Sequence, residues 1–296
     1  MAKFDQAEGL RRLLEVPRQR VLTCLSVLPP AERNSLIINL AATFARQGRQ
    51  TLMVDAHTRH SSLSTWLNVK NDETLLEVAR QQRSMESVMK SLSSRLSVTR
   101  LVPTMPQFAR FNAVESRELS KVFDLAASKS DMVVVDCEAD LDGSLLLSSF
   151  YEADLLVQMS CDAQSIKHAY SLIKLINQRH GRQSCGIVVS GGAGEQAERV
   201  FSNLSLTARK YLGIELDFVG AVSDDAHLRR ATELGRAVVD AFPASKAAGA
   251  FLKIADRLIS MAHEGLRFDS VSAFNVQTQI QFNAQSYAPL NAQVEY

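Results

Sequence analysis

Apolar residues form short continuous runs that alternate with segments in which they recur at helical spacing. The first such unit joins an apolar run at 21–25, helically spaced positions over 34–47 and a second run at 51–55. A strand, a crossover helix and a second strand of this length are typical of the βαβ unit of a parallel sheet. Because ligands of such sheets bind at the carboxyl ends of the strands, the pattern predicts a site at 26–34 and 55–62.

The alternation continues to about residue 262. Further strands are predicted at 96–102, 132–136, 155–159, 186–190 and 218–222. Helices are predicted at 73–92, 115–128, 163–180, 194–211 and 251–262. The most strand-like run ends on Asp136, which places that acid at the carboxyl edge of the sheet. The fold class predicted is α/β, with a mostly parallel twisted sheet and helices on both faces.

A short amphipathic segment at 4–14 precedes this domain. Asp5 can cap a helix on which Ala7, Leu10 and Leu14 share a face, and Pro17 ends it. A helix of this length is marginal alone in water. It therefore docks on its own domain, folds on a partner, or frays as a terminus.

The end of the chain has a different pattern. Residues 266–296 are rich in Gln and Asn, and apolar and polar residues alternate over 274–283. This stretch could add an edge strand, pair with another chain or be disordered, and disorder is the favoured interpretation. The predicted organisation is a partner-binding helix at 1–17, one α/β domain at 18–265 and a tail at 266–296.

Composition narrows the function classes. The formal net charge of +1 over 296 residues gives no overall field for nucleic acid, so no nucleic-acid partner is expected. The four cysteines lack paired metal-ligand spacing and are interpreted as reduced thiols. No apolar run is long enough to cross a bilayer, and a cytoplasmic protein is expected.

The loop after the first predicted strand lacks the residues that bind a triphosphate. Residues 26–35 contain neither glycine nor lysine, Pro29 and Pro30 remove N–H donors, and Glu32 adds a negative charge. The glycines at 191–194 lack a following Lys-Ser/Thr and are interpreted as a plain loop. His57 and His60 could form a metal site, but the favoured interpretation is that both are solvated polar residues. No metal is therefore expected.

A resemblance to a known family rests on five stretches of the sequence. They are Asp5-Gln6-Ala7-Glu8-Gly9-Leu10-Arg11-Arg12-Leu13-Leu14, Asn39-Leu40-Ala41, 51–56, 165–174 and 211–216. Over roughly 4–262 the chain resembles MinD/ParA-type P-loop ATPases, and within them the flagellar-number regulators of the FlhG/FleN group. The resemblance implies a single MinD-like domain of the SIMIBI type. The N-terminal Asp-Gln-Ala-x-x-Leu-Arg motif is its most specific part.

In that group the N-terminal motif contacts and stimulates the GTPase FlhF. The resemblance implies that Asp5, Gln6, Ala7, Leu10 and Arg11 bind FlhF here. It also implies a regulator of flagellar biosynthesis and number, recruited to the cell pole, with C-ring or transcription-regulator proteins as further partners. A homodimer is a further expectation. Relatives attach to membranes through a C-terminal amphipathic helix, but the closing helix of this chain is needed for the core, so stable membrane binding is not expected.

The sequence differs from the family at the positions that bind and hydrolyse ATP in its members. By position, Leu28 and Arg33 replace the two lysines, Pro29, Pro30 and Glu32 replace glycines, Asn34 replaces the magnesium-binding hydroxyl, His57 replaces the water-positioning acid, and Ser190 replaces the Asn that reads adenine. A degenerate nucleotide site would consist of Arg33, Asn34, Asp55 and Asp136. A protein-binding scaffold without ATPase activity or cofactor is predicted; the alternatives are an ATP- and magnesium-dependent switch, and an accessory factor of another polar or secretion apparatus.

Overall fold

The computed structural model describes residues 19–58, 63–67, 69, 73–103, 111–181, 184–192 and 194–263. The predicted FlhF-binding residues of segment 1–17 and the tail at 266–296 lie outside these ranges, so both assignments stay predictions. The described residues as far as Ser260 form one compact unit.

An eight-stranded sheet organises the described residues. Its strands are β1 Arg20–Ser26, β2 Thr51–Asp55, β3 Lys90–Ser93, β4 Leu96–Arg100, β5 Met132–Cys137, β6 Asp154–Ser160, β7 Cys185–Ser190 and β8 Leu216–Val222. The spatial order is β3-β4-β2-β5-β1-β6-β7-β8. Every pairing is parallel except β3 with β4. The predicted α/β class with a mostly parallel sheet is confirmed.

Helices fill the connections between the strands. They are α1 Pro30–Arg46, α2 Leu63–Trp66, α3 Leu75–Ala79, α4 Met85–Val88, α5 Ala113–Ala127, α6 Ser149–Glu152, α7 Ala163–His180, α8 Gly194–Leu212, α9 Ala226–Glu233, α10 Val238–Ala241 and α11 Lys246–His263. Two of the long helices begin at capping side chains that the sequence encodes. The Asn112 side chain accepts hydrogen bonds from the first turn of α5, and Asp162 accepts one at the start of α7.

The two faces of the sheet carry separate apolar layers. Buried side chains of α5, α7 and α8, such as Phe123, Ile173 and Leu204, join one face of the strands in a single cluster. Helix α1 contacts β2 and β5 on the other face. Helix α11 packs closely there too, since a Cβ on Gly220 of β8 would lie 2.7 Å from Ile254 Cγ1. Strand β5 is buried along its whole length because it lies between both layers.

The structure corrects several predicted boundaries. The single helix predicted at 73–92 is wrong, because Thr74 caps α3, Ser84 caps α4, and the chain then forms the edge strand β3. Gln81, with φ of 60°, interrupts the segment between the two short helices. The helices α9 and α10 were not predicted, since each is too short to show a clear apolar period.

Helix α1 also begins earlier than predicted. The expected start was residue 34, since the two prolines indicated a breaker, but Pro30 occupies the first helical position. Proline is compatible with that position because its missing N–H would have no intrahelical partner there. The helix therefore starts almost directly after β1, and this shortens the loop that faces the candidate site.

Among the described residues, none of the helices combines the length and the apolar character that crossing a bilayer requires. The four cysteines are free thiols, and Cys24, Cys137 and Cys185 are buried in strands.

Candidate functional site

The candidate site lies at the carboxyl edge of the sheet, where β2, β5, β1 and β6 end side by side. Asp55 and Asp136 end neighbouring strands and are direct partners across the β2–β5 pairing. Arg33 and Asn34 lie in the first two turns of α1. The four residues predicted to form a degenerate nucleotide site therefore meet at one place, and all four are buried.

The loop between β1 and α1 consists of Val27, Leu28 and Pro29. Its N–H groups donate inside the protein, from Val27 to the Gln158 carbonyl at 3.2 Å and from Leu28 to Ser26 Oγ at 3.1 Å. The N–H groups of Glu32 and Arg33 both donate to the Pro29 carbonyl at 3.1 Å. These donors are already engaged, whereas a phosphate cradle needs successive N–H groups that point at the ligand.

Asp136 is the centre of a buried charge network. One of its oxygens, Oδ1, lies 3.3 Å from Arg33 Nε and 3.2 Å from His57 Nε2. The carboxylate is fully buried, and the side chains of Arg33 and His57 are each less than a tenth exposed. Arg33 also donates from Nη2 to Asn34 Oδ1 at 3.2 Å. The cation that could have approached a phosphate is thus paired with the protein's own acid.

His57 lies between two carboxylates. Its Nε2 faces Asp136, and its Nδ1 lies 3.4 Å from Glu138 Oε2. Burial by itself lowers the pKa of His57, but the hydrogen bonds to Asp136 and Glu138 outweigh it and raise the pKa to about 9. The surroundings of the ring therefore favour the imidazolium over the neutral imidazole at neutral pH.

Glu138 completes this arrangement from the loop after β5. Its Oε1 accepts hydrogen bonds from the Thr58 N–H at 2.9 Å and the Thr58 hydroxyl at 2.7 Å. Burial raises the pKa of Glu138, but the bonds from His57 and Thr58 dominate and lower it to about 2. The loop after β2 is therefore tied to the loop after β5 through one carboxylate.

Asp55 sits at the base of the same network. It accepts hydrogen bonds from the His57 N–H at 3.2 Å and the Leu63 N–H at 3.1 Å, and Arg100 Nε lies 3.9 Å away. Burial, then the charge of Asp136, raises its pKa. Both aspartates that would face magnesium are thus engaged with protein groups, and the described residues do not fit magnesium-bound ATP in the mode typical of P-loops.

A cavity of about 480 Å³ adjoins this network on the side of β6, β7 and β8. Its apolar wall includes Leu36, Val222, Leu228 and Phe251. Its polar wall contains Gln158, which donates from Nε2 to Ser190 Oγ at 3.0 Å and to the Glu32 carbonyl at 3.2 Å. The position predicted for adenine recognition, Ser190, therefore lines a real cavity.

Glu32 lies at the exposed rim of this cavity. Partial burial raises the pKa of Glu32, and the charges of Asp162 and Asp224 add to that effect. The rim therefore disfavours additional negative charge, as expected from the sequence of the loop.

Sequence reasoning missed the roles of His57, Glu138 and Gln158 in this network and its neighbouring cavity. The interpretation of His57 as a solvated polar residue is wrong, because the ring is only 7% exposed and contacts two buried or half-buried acids. His60, the second residue of the disfavoured metal site, lies outside the described ranges. The signal available in the sequence was the placement of His57 two residues after a strand-end acid, but its partners lie in a distant part of the chain.

Comparison with known proteins found similar proteins, although no family model matches the chain. The antiactivator FleN of Pseudomonas aeruginosa is 26% identical over 231 residues, which cover 77% of this chain and 82% of FleN. An uncharacterised ATP-binding protein of Methanocaldococcus jannaschii is 23% identical over 233 residues, covering 78% of this chain and 84% of that protein. The cell division ATPase MinD of Pyrococcus furiosus superposes with a TM-score of 0.63 at 20% identity, over 82% of this chain and 99% of MinD.

Proposed function

Because the chain is a FleN-like member of the MinD/ParA family, we propose that it is a regulator of flagellar number that acts as a protein-binding scaffold without hydrolysing ATP. The observation that carries this proposal is the pairing of Arg33 and His57 with Asp136. Groups that would have to face phosphate, magnesium and water face one another instead.

The physical argument follows from what phosphoryl transfer requires. That reaction is catalysed almost entirely by positioning and by neutralising developing charge. Here the loop donors are engaged, Glu32 adds negative charge at the rim, and His57 stands where a carboxylate would position water. Each requirement is lost at a separate residue, so a single local rearrangement does not restore the activity.

The scaffold function is assigned to the N-terminal motif. Asp5, Gln6, Ala7, Leu10 and Arg11 match the motif with which FlhG/FleN proteins contact the GTPase FlhF, and the proposed action is stimulation of that GTPase. A short amphipathic helix gains stability by placing its apolar face in a groove of a partner. This role needs no nucleotide in the present chain. The name of the Pseudomonas relative, an antiactivator, supports a transcriptional activator as a further partner.

Calorimetry with ATP and magnesium tests the nucleotide part of the proposal. The full chain should give no saturable heat up to millimolar ATP, whereas MinD of Pyrococcus furiosus, titrated identically, serves as the positive control. Micromolar binding that disappears in the Asp136→Ala variant would overturn it. A second candidate, nucleotide binding without hydrolysis, is favoured by the cavity beside α1 and by the archaeal ATP-binding relative. Saturable heat without phosphate release would establish that candidate instead.

A GTPase assay tests the partner. A peptide of residues 1–17 should raise the GTP hydrolysis rate of FlhF from the same source, and Gln6→Ala or Leu10→Asp should abolish the effect. Lys3→Ala, outside the motif, is the matched control. Equal stimulation by a chain that lacks residues 1–14 would contradict the assignment.

A further inference from the structure

We propose that the carboxylates of Asp136 and Glu138 form a cation site whose occupant is the protein's own His57, and that this internal cation fixes the loop after β2 to the loop after β5. This inference rests on the same pairing as the proposed function and deepens it, because it concerns what holds the two loops in place. It makes their arrangement independent of any external cation or nucleotide.

The geometry requires a charged ring. His57 Nε2 lies 3.2 Å from Asp136 Oδ1 and Nδ1 lies 3.4 Å from Glu138 Oε2. A neutral imidazole has one N–H donor and one acceptor nitrogen, so one of these contacts would set a lone pair against a carboxylate oxygen. When both carboxyls are ionised, only the imidazolium donates to both of them. The ring and the Asp136 carboxylate are almost fully shielded from water, which strengthens the attraction.

The neighbouring charges leave a place for one cation. From α1, Arg33 contacts the same oxygen of Asp136. From β2, Asp55 accepts the backbone N–H of His57 and adds a further negative charge close to the ring. Removing the imidazolium would leave Asp136 and Glu138 with Arg33 as the cation that contacts Asp136, and the Glu138 oxygen that faces the ring would lose its charged partner.

The loops are held at further points. Thr58 donates twice to Glu138, through its N–H and its hydroxyl. Further along the loop after β5, a Cβ on Gly143 would lie 2.7 Å from the backbone carbonyl of Leu175, so the turn rests directly on α7. The Tyr151 hydroxyl donates to the Gly143 carbonyl at 3.3 Å. His57 is thus the connecting charge between two segments that are otherwise anchored to the domain.

Chemical rescue tests this site in the full chain. In His57→Ala, hydrogen exchange of the amides at 56–58 and 138–144 should rise by at least about tenfold, since a buried pair is broken. Added imidazole should restore slow exchange at about pH 6, where it is a cation, but not at about pH 9, where it is neutral. Equal rescue at both pH values, or none at either, would overturn the proposal.

Matched variants make the outcome specific. His227→Ala removes an exposed histidine that lies 3.2 Å from Asp225, and neither its loss nor imidazole should change exchange at 138–144. Glu138→Gln should speed exchange at 56–58, because it removes one wall of the site. If His57→Ala does not fold, His57→Gln keeps the volume without the charge and should show the same increase. Slow exchange in His57→Gln would also overturn the proposal. ATP is absent throughout, so failure here is distinguishable from failure of the proposed function.

Discussion

The two halves of the carboxyl edge of the sheet differ in what their strand-end side chains contact: paired charges in one half and a cavity in the other. Over β2 and β5, the strand ends carry the buried acids Asp55 and Asp136. Asp136 is paired with Arg33 and His57, and Asp55 lies near Arg100. Over β6, β7 and β8, the strand ends carry the neutral side chains Gln158 and Ser190 and border a cavity of about 480 Å³. We refer to the side of β2 and β5 as the closed half, because paired charges fill it, and to the side of β6, β7 and β8 as the open half, because a cavity lies there.

The β2–β5 side of the edge shows that strand-end acids can be neutralised by side chains of the protein itself. The acids at the ends of β2 and β5 are still present, and their charge has to be balanced because an unpaired buried carboxylate is costly. Arg33, His57 and Arg100 supply that balance. On the cavity side, the strand positions that correspond to these acids are the neutral Gln158 and Ser190, so no buried carboxylate there needs a partner.

The largest change in the free energy of unfolding is expected when the closed half loses Asp136. Asp136→Ala leaves Arg33 and His57 buried without the carboxylate they share, and breaking a buried pair costs about 3–5 kcal/mol. Urea unfolding should show this as a loss of free energy of unfolding. In the control, Asp224→Ala, an exposed acid 2.8 Å from Arg229 is removed, and a change below about 1 kcal/mol is expected. Equal effects of the two variants would break the comparison.

The closed half should also make stability depend on pH. Because the folded-state pKa of His57 is raised to about 9 from 6.5, the stability it contributes is fully present below about pH 6.5 and is lost as the pH rises through 9. The difference of about 2.5 pKa units corresponds to a contribution on the order of 3 kcal/mol. Unfolding free energies measured at about pH 6 and pH 9.5 should differ by that amount more in the wild type than in His57→Gln. An identical pH profile in both proteins would contradict the pairing.

The smallest effect is expected in the open half. Glu32 is exposed at the rim of the cavity and its pKa is raised, first by partial burial and then by Asp162 and Asp224. Glu32→Gln removes a charge that neighbouring acids oppose but the N-terminus of α1 favours, so the free energy of unfolding should stay within about 0.5 kcal/mol of the wild type. Thermal unfolding at neutral pH measures this. A large loss would show that the rim contributes more than the comparison allows.

The sequence pattern predicted the parts of the molecule in which local periodicity and burial agree. Strands β2 and β5 are continuous apolar runs that end on acids, and those acids lie at the predicted edge of the sheet. The predicted grouping of Arg33, Asn34, Asp55 and Asp136 follows from that placement. In contrast, residues 73–92 formed two short helices and a strand, because caps at Thr74 and Ser84 override a weak apolar period.

The part that His57 and Glu138 play in the charge network could not be predicted, because His57 and its partners are distant in sequence. In the sequence, nothing separates His57 from an ordinary loop histidine. Its contacts with Asp136 and Glu138 form only when β5 pairs with β2 in the folded sheet. The burial and the charge of the ring are both consequences of that pairing. Similarly, Gln158 connects the β1–α1 loop to β7 only because β6 lies between β1 and β7 in the sheet.

The strand order has a consequence for how the chain is made. Strand β1 is the first strand of the described chain, yet its sheet neighbours are β5 and β6, which follow much later. During synthesis β1 therefore emerges from the ribosome long before either partner exists, with both of its hydrogen-bonding edges unpaired. Pairing across such sequence separations is slow because the intervening chain must first be ordered. A nascent chain that stalls before Asp154 would leave exposed the edge of β1 that later pairs with β6, and that edge could pair with another chain.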